Sequence, residues 1–245
     1  MDRDFRRGRI EIDFPTRPFD SIYRVLADST QLFFSTLPFL AAVTLAIMFP
    51  AKIALQVACS AMDIAPEGFL SYLVMDLSDL VLSALVIPAI VYGLVTKFRT
   101  GKTAGVAESL RWGRRQWGKT LWNKVKVEIT IALWGALLVI PGVVAMLRLT
   151  FTDTIVAIEA DREPAVLDRS RSLSAGQLWR ILLALLPALP LSLAHMYAAF
   201  RALQYSRAAM VPLDSLFCVA EQWPTVVALL MYLGLAAPRK SGKRG

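Results

Sequence analysis

Asp76 and Asp79 stand three residues apart inside an apolar run, so any helix drawn through them puts both carboxylates on one face. Arg148 lies in another apolar run, six residues past a Pro-Gly pair, at a depth comparable with the two aspartates. An ionisable side chain at the centre of a membrane span costs about 3 kcal/mol on insertion scales, so such groups face a partner or a wet cavity. The expected arrangement is an interhelical ion pair between Arg148 and at least one of Asp76 and Asp79. It would act either as a packing device or as a proton or substrate-ion site of the kind transporters build near the bilayer midplane. Asp153 joins the candidate cluster, facing Glu128 through a shared proton or Lys124 or Lys126 as a salt bridge. His195, the only histidine, is expected to make a polar contact to a neighbouring helix or the outer interface. Asp214 and Glu221, seven apart, share one face and are expected along the same polar seam.

Other chemistries lack their residues. RTGKT resembles the end of a phosphate-binding loop, but Thr96 stands where the first glycine is needed and the segment follows a membrane helix instead of a strand. No GxSxG, CxxC or HExxH occurs. Cys59 and Cys218 sit in apolar runs without a second ligand at metal spacing and read as small buried hydrophobes. No metal, no cofactor and no catalytic residue is expected.

The elements that must position these charges are membrane helices. The chain is 56% hydrophobic over 245 residues, above the 45 to 50% of soluble domains. Six stretches have the length and apolarity of spans: about 32 to 49, 69 to 96, 127 to 140, 143 to 158, 178 to 200 and 212 to 235. The expected fold is an all-α integral membrane bundle of about six transmembrane helices with short amphipathic cytoplasmic helices between them. Its parts are a charged cytoplasmic segment over residues 1 to 31, the transmembrane domain over 32 to 236, and a basic cytoplasmic tail over 237 to 245. The opening MDRDFRRGRIEIDF is charged where a cleaved signal needs an apolar core, so the first span is expected to serve as its own insertion signal.

The basic residues orient the bundle. Of 27 Lys and Arg, 23 fall in residues 1 to 31, 97 to 126, 160 to 180 and the tail, which places both termini in the cytoplasm. Lys52, Arg201 and Arg207 would lie outside. The net charge of +8 is carried by short loops, not by one aromatic-interleaved stripe, so nucleic acid is not an expected partner. In the second of these segments Val106, Leu110, Trp117 and Leu121 share a helical face. The segment reads as an interfacial helix with Trp112, Trp117 and Trp122 at headgroup depth and Arg111, Arg114, Arg115 and Lys119 toward anionic lipid; a solvated connector helix packed on the bundle is the alternative.

From 139 to 179 the sequence reads VIPGVVAMLRLTFTDTIVAIEADREPAVLDRSRSLSAGQLW. Pro141, Gly142, Arg148, Glu159, Arg169, Ser170 and Gly176 in this stretch resemble the signature of a bacterial inner-membrane superfamily. Its members include the uncharacterised six-span YciC-like proteins and the membrane domain attached to some glycerophosphodiester phosphodiesterases. The resemblance implies a helical bundle with no established activity of its own, since nothing here matches the phosphodiesterase barrel or its acidic metal ligands. Pro141 and Gly142 are expected to turn the hairpin between spans three and four, and Glu159 and Arg169 to cap or pair at a helix junction.

These readings converge on a non-enzymatic inner-membrane protein that works by interaction, binding or regulating a membrane-protein partner or anionic lipid through its basic cytoplasmic face. The alternative is a small transporter or lipid permease that uses the buried Asp/Arg cluster. A solvated path to the buried charges separates the two.

Overall fold

The structure is a computed structural model that describes residues 21–62, 69–159, 165–205 and 207–236. Ten helices appear there: α1 (Ile22–Ala61), α2 (Phe69–Thr100), α3 (Val106–Leu137), α4 (Val139–Leu149), α5 (Thr152–Ile158), α6 (Val166–Ser174), α7 (Leu178–Leu185), α8 (Ala188–Tyr205), α9 (Arg207–Ala220) and α10 (Trp223–Ala236). Four stretches are long and apolar enough to cross a membrane: Ile22–Ala61, Leu73–Thr100, Val139–Ile158 and Val211–Ala236. The pair α7 and α8, bent by 42°, makes a fifth if taken as one span. Pro187 lies in the two-residue break between them and explains the bend, because its ring and missing N–H cannot continue α7. The protein is therefore an all-α, multi-pass membrane bundle. The first 20 residues and the basic tail over 237 to 245 lie outside the described residues.

One expected boundary is corrected. The first helix is longer than its span: α1 runs through Pro38 and Pro50 for 40 residues, about 60 Å, and takes in the short apolar segment after Pro50. The corrected boundary is that between the interfacial helix and the third span, which are not separate, because α3 is one helix of 32 residues. Nothing between Lys119 and Val127 breaks a helix, so the charged half continues into the apolar half. The apolar part of α3, from 127 to 137, is only about 16 Å long, against ~30 Å of hydrocarbon.

The face that α3 buries is also not the expected one. Ser109, Trp112, Gly113, Gln116, Thr120 and Asn123 are buried, whereas Trp117 is 41% exposed. Small and short polar side chains on that face let α3 lie against α2, in the most extensive helix contact of the bundle. Trp112 consequently stands inside the bundle. It is stacked on Tyr92 at 5.4 Å between ring centroids, and its Nε1 donates to the Ala157 carbonyl at 3.3 Å. The Tyr92 hydroxyl donates to Glu108 Oε1 at 2.5 Å, which fixes one end of the α2–α3 pair.

α2 is the central helix. Ala84, Val86, Ala89, Ile90, Val91, Leu94 and Val95 are fully buried, and Leu40 and Val43 of α1, Ile155 of α5 and Val226, Leu229 and Met231 of α10 complete the core around it. That burial holds for the second half of α2, from 84 to 95, whereas Leu70, Leu73, Leu77 and Val81 in its first half are exposed.

α3 and α4 form a hairpin, but Pro141 and Gly142 do not turn it. The turn is at Leu138, whose extended backbone (φ −160°, ψ 143°) separates the helices while its N–H donates to the Trp134 carbonyl at 3.0 Å. Pro141 sits in the first turn of α4, where no intrahelical N–H is required. Gly142 serves close approach instead: a β-carbon there would lie 2.8 Å from the Gly135 α-carbon. Leu137, Leu138, Val139 and Ile140 at the tip are each about two-thirds exposed or more, an apolar surface suited to lipid.

A second break falls at Thr150 and Phe151, between α4 and α5. Ser170 of α6 repairs it. Its buried hydroxyl donates to the Arg148 carbonyl at 2.8 Å and accepts from the Phe151 N–H at 3.3 Å, and Ser174 reaches the same carbonyl at 3.3 Å. Ser170→Ala should leave these groups under-satisfied and lower stability by about 1–2 kcal/mol. A melting curve in nanodiscs that matches the wild type would refute that role.

A buried charge cluster as candidate site

Five ionisable side chains from α1, α2, α8, α9 and the turn after α9 meet in this apolar bundle, with Lys52, Asp214 and His195 largely buried and Asp79 and Glu221 partly exposed at its edge. Lys52, only 5% exposed, extends its ammonium between Asp79 and Asp214, at 3.1 Å from Asp79 Oδ1 and bonded to Asp214 Oδ2. Asp214 uses its other oxygen for His195, whose Nε2 lies 2.7 Å from Oδ1. The second ring nitrogen, Nδ1, lies 2.7 Å from Glu221 Oε1. A neutral imidazole can donate to one of these carboxylates; only imidazolium donates to both. Phe217 stacks on the ring at 4.8 Å and holds its plane. Asp214 is thus the hub, tying α1 to α8 through α9.

The sequence explains these placements in part. Asp214 and Glu221 are two helical turns apart and so reach the two edges of one imidazole. Lys52 follows Pro50 on α1, and continuation of the helix through that proline carries it to the level of Asp79.

A cleft of about 510 Å³ reaches the edge of this cluster at Asp79 and Glu221, while Lys52, Asp214 and His195 lie behind its lining. Asp76, Asp79 and Ser83 of α2, Lys124 and Glu128 of α3, and Cys218, Glu221, Gln222 and Thr225 supply its polar wall. Lys124 is engaged there, 3.5 Å from Asp153 and donating to Ser83 Oγ at 2.9 Å. Gln222 is 7% exposed; its Nε2 donates to the Cys218 carbonyl at 2.9 Å, while Oε1 is buried with no partner among the described residues.

The expected cluster of Asp76, Asp79, Arg148 and Asp153 is therefore divided. Asp79 pairs with Lys52, Asp153 pairs with Lys124, and Asp76 lines the cleft. Arg148 does not reach Asp76 or Asp79. α4 turns Gly142, Ala145 and Leu149 inward, and the Arg148 side chain is exposed. Lys52, which entered the sequence reading only as a charge on the outer side, is the lysine of the site.

Other signature residues act at junctions. Arg169 Nε lies 3.8 Å from Glu159 Oε1, which also accepts from the Tyr232 hydroxyl at 2.6 Å, joining the end of α5 to α6 and α10. Gly176 adopts φ 73° in the turn between α6 and α7, a left-handed conformation that glycine enters without strain. On α3, Arg111, Arg114, Arg115 and Lys119 are exposed along one face. Trp122 extends that face, with the Lys126 ammonium 5.0 Å from its ring centroid, whereas Trp117 turns its Nε1 to the Val81 carbonyl at 3.0 Å. Among the described residues no group of three His, Cys, Asp or Glu is placed to hold a metal ion.

No protein-family model, no curated protein and no solved structure matches the chain.

Proposed function

We propose that the protein is a non-enzymatic permease of the bacterial cytoplasmic membrane that binds a small polar solute in the cleft beside Lys52, Asp79, Asp214, His195 and Glu221. The observation that carries this reading is the cleft itself: it gives the cluster an opening to solutes at Asp79 and Glu221, which a purely structural ion pair does not need. Hydrogen-bonded carboxylates that can exchange partners are the kind of group such sites use to take up and release a solute or proton. The fit to the six-span YciC-like superfamily is part of the same proposal, supported by the roles of Ser170, Glu159 and Gly176 at helix junctions.

Both termini are proposed to face the cytoplasm. Charge asymmetry supports this.

A second reading, interaction with anionic lipid or a membrane-protein partner, is favoured by the exposed stripe of Arg111, Arg114, Arg115 and Lys119. One set of proteoliposomes separates the two. Currents on a solid-supported membrane are recorded while a panel of cationic, zwitterionic, anionic and neutral small solutes is applied, alongside uptake of radiolabelled solutes. The permease reading expects a response that Asp79→Asn and Asp214→Asn abolish and that the triple Arg111→Gln, Arg114→Gln, Arg115→Gln variant retains. No response to any solute, together with loss of anionic-vesicle binding in the triple variant, would make the interaction reading the correct one.

A further inference from the structure

We propose that the cleft binds an organic cation bearing N–H donors, a primary alkylammonium or an alkylguanidinium, with Asp76 and Glu128 supplying the charge and Gln222 Oε1 a buried acceptor. The proposal rests on the permease reading and specifies its solute class.

The charges of the lining are already partly assigned. Asp79 holds Lys52 and Glu221 holds His195, while Lys124, the cation that lines the cleft, is committed to Asp153 and Ser83. Asp76 and Glu128 line the same space and have no ion pair or hydrogen bond among the described residues. Among those residues the cleft therefore offers uncompensated negative charge and no uncommitted cation, which attracts a cation and repels an anion.

Gln222 indicates the kind of cation. Its Nε2 is used by the Cys218 carbonyl, which fixes the amide so that Oε1 is the group left over. A buried acceptor without a donor is costly; Oε1 is closed off from the cleft in this structure, and a turn of the Gln222 side chain would let a ligand N–H satisfy it. A quaternary ammonium has no hydrogen to give. Met48, Leu73, Leu77, Leu80 and Ile87 form an apolar wall along the cleft, suited to an alkyl chain beside the charged head. A volume of about 510 Å³ is in the range of small-molecule sites.

The test uses the full-length protein in nanodiscs and measures equilibrium binding of butylammonium, butylguanidinium, tetramethylammonium, butanol and butyrate. Butylammonium and butylguanidinium should bind, tetramethylammonium more weakly, and butanol and butyrate not at all. Asp76→Asn and Glu128→Gln, which break no ion pair seen here, should fold normally and weaken binding of butylammonium about tenfold each. Gln222→Met should narrow the preference for butylammonium over tetramethylammonium. Equal binding of butyrate, or butylammonium affinity unchanged in both acidic variants, would overturn the proposal. Cation binding without transport of any solute would keep the site and remove the permease reading. Transport of anionic or neutral solutes with no cation binding would keep the permease and remove this solute class.

Discussion

Lys52→Met is expected to lower stability by about 3–5 kcal/mol, the cost of stranding one side of a buried ion pair. The ammonium is 5% exposed and lies between two carboxylates on different helices, so its loss leaves Asp79 and Asp214 facing each other across α1 with no cation between them. Methionine keeps most of the side-chain length and apolar packing, which isolates the charge. The triple variant Lys52→Met, Asp79→Asn, Asp214→Asn should recover much of the loss, because removing a whole buried ionic group is far less costly than removing half of it. The amide oxygen that Asp214→Asn leaves in place would still accept from the imidazole. Thermal unfolding in nanodiscs, followed by tryptophan fluorescence, measures the difference. If the single variant is as stable as the triple or more so, Lys52 is not the clamp that the geometry makes it.

How much of this was legible in the sequence depended on the distance over which the signal had to act. The all-α membrane bundle was legible because each span is a local run of apolar residues whose length alone sets the reading. The common face of Asp214 and Glu221 was legible because helical geometry fixes it within seven residues. Their shared partner His195 was not, since the pairing joins helices and no local pattern reports it. The partners of Lys52 were hidden for a related reason. Positive-inside counting treats a lysine near a span end as a topology mark, while its actual partners are 27 and 162 residues away in sequence. Arg148 shows the complementary error: matching its depth to the aspartates ignored which face of α4 it occupies. Ser170 had a signal that could be read only afterwards, a hydroxyl residue opposite a helix break that no proline or glycine announces. The buried face of α3 was hidden because most of its residues are small or polar and no apolar pattern marks them. In a membrane bundle the mark is often small size and short polar groups, since lipid already satisfies the apolar side chains.

Gly113 tests that last point most sharply. A β-carbon there would lie 2.5 Å from the Leu85 carbonyl oxygen and 3.1 Å from the Ala89 β-carbon. The nearer obstacle is backbone, so no rotamer change can relieve it, and α2 and α3 would have to separate along their most extensive contact. Gly113→Leu is therefore expected to cost about 3 kcal/mol through overpacking, even though leucine is the better helix former by roughly 0.8 kcal/mol. Gly118, five residues along the same helix, is the control. It is exposed and a β-carbon there meets nothing within 4 Å, so Gly118→Leu should be neutral or slightly stabilising. Gly93→Ala should fall between them, because the atoms it meets are the ring of Phe39, a side chain able to yield. Melting temperatures of the three variants in nanodiscs rank them. If Gly113→Leu and Gly118→Leu melt together, α3 does not lie against α2 as described. The comparison also bears on function: Asp76, Asp79 and Ser83 lie on α2, and Lys124 and Glu128 on α3, so the seam that Gly113 keeps closed also sets the width of the cleft. A Gly113→Leu protein that survives unfolding assays should accordingly lose butylammonium binding, while Gly118→Leu keeps it.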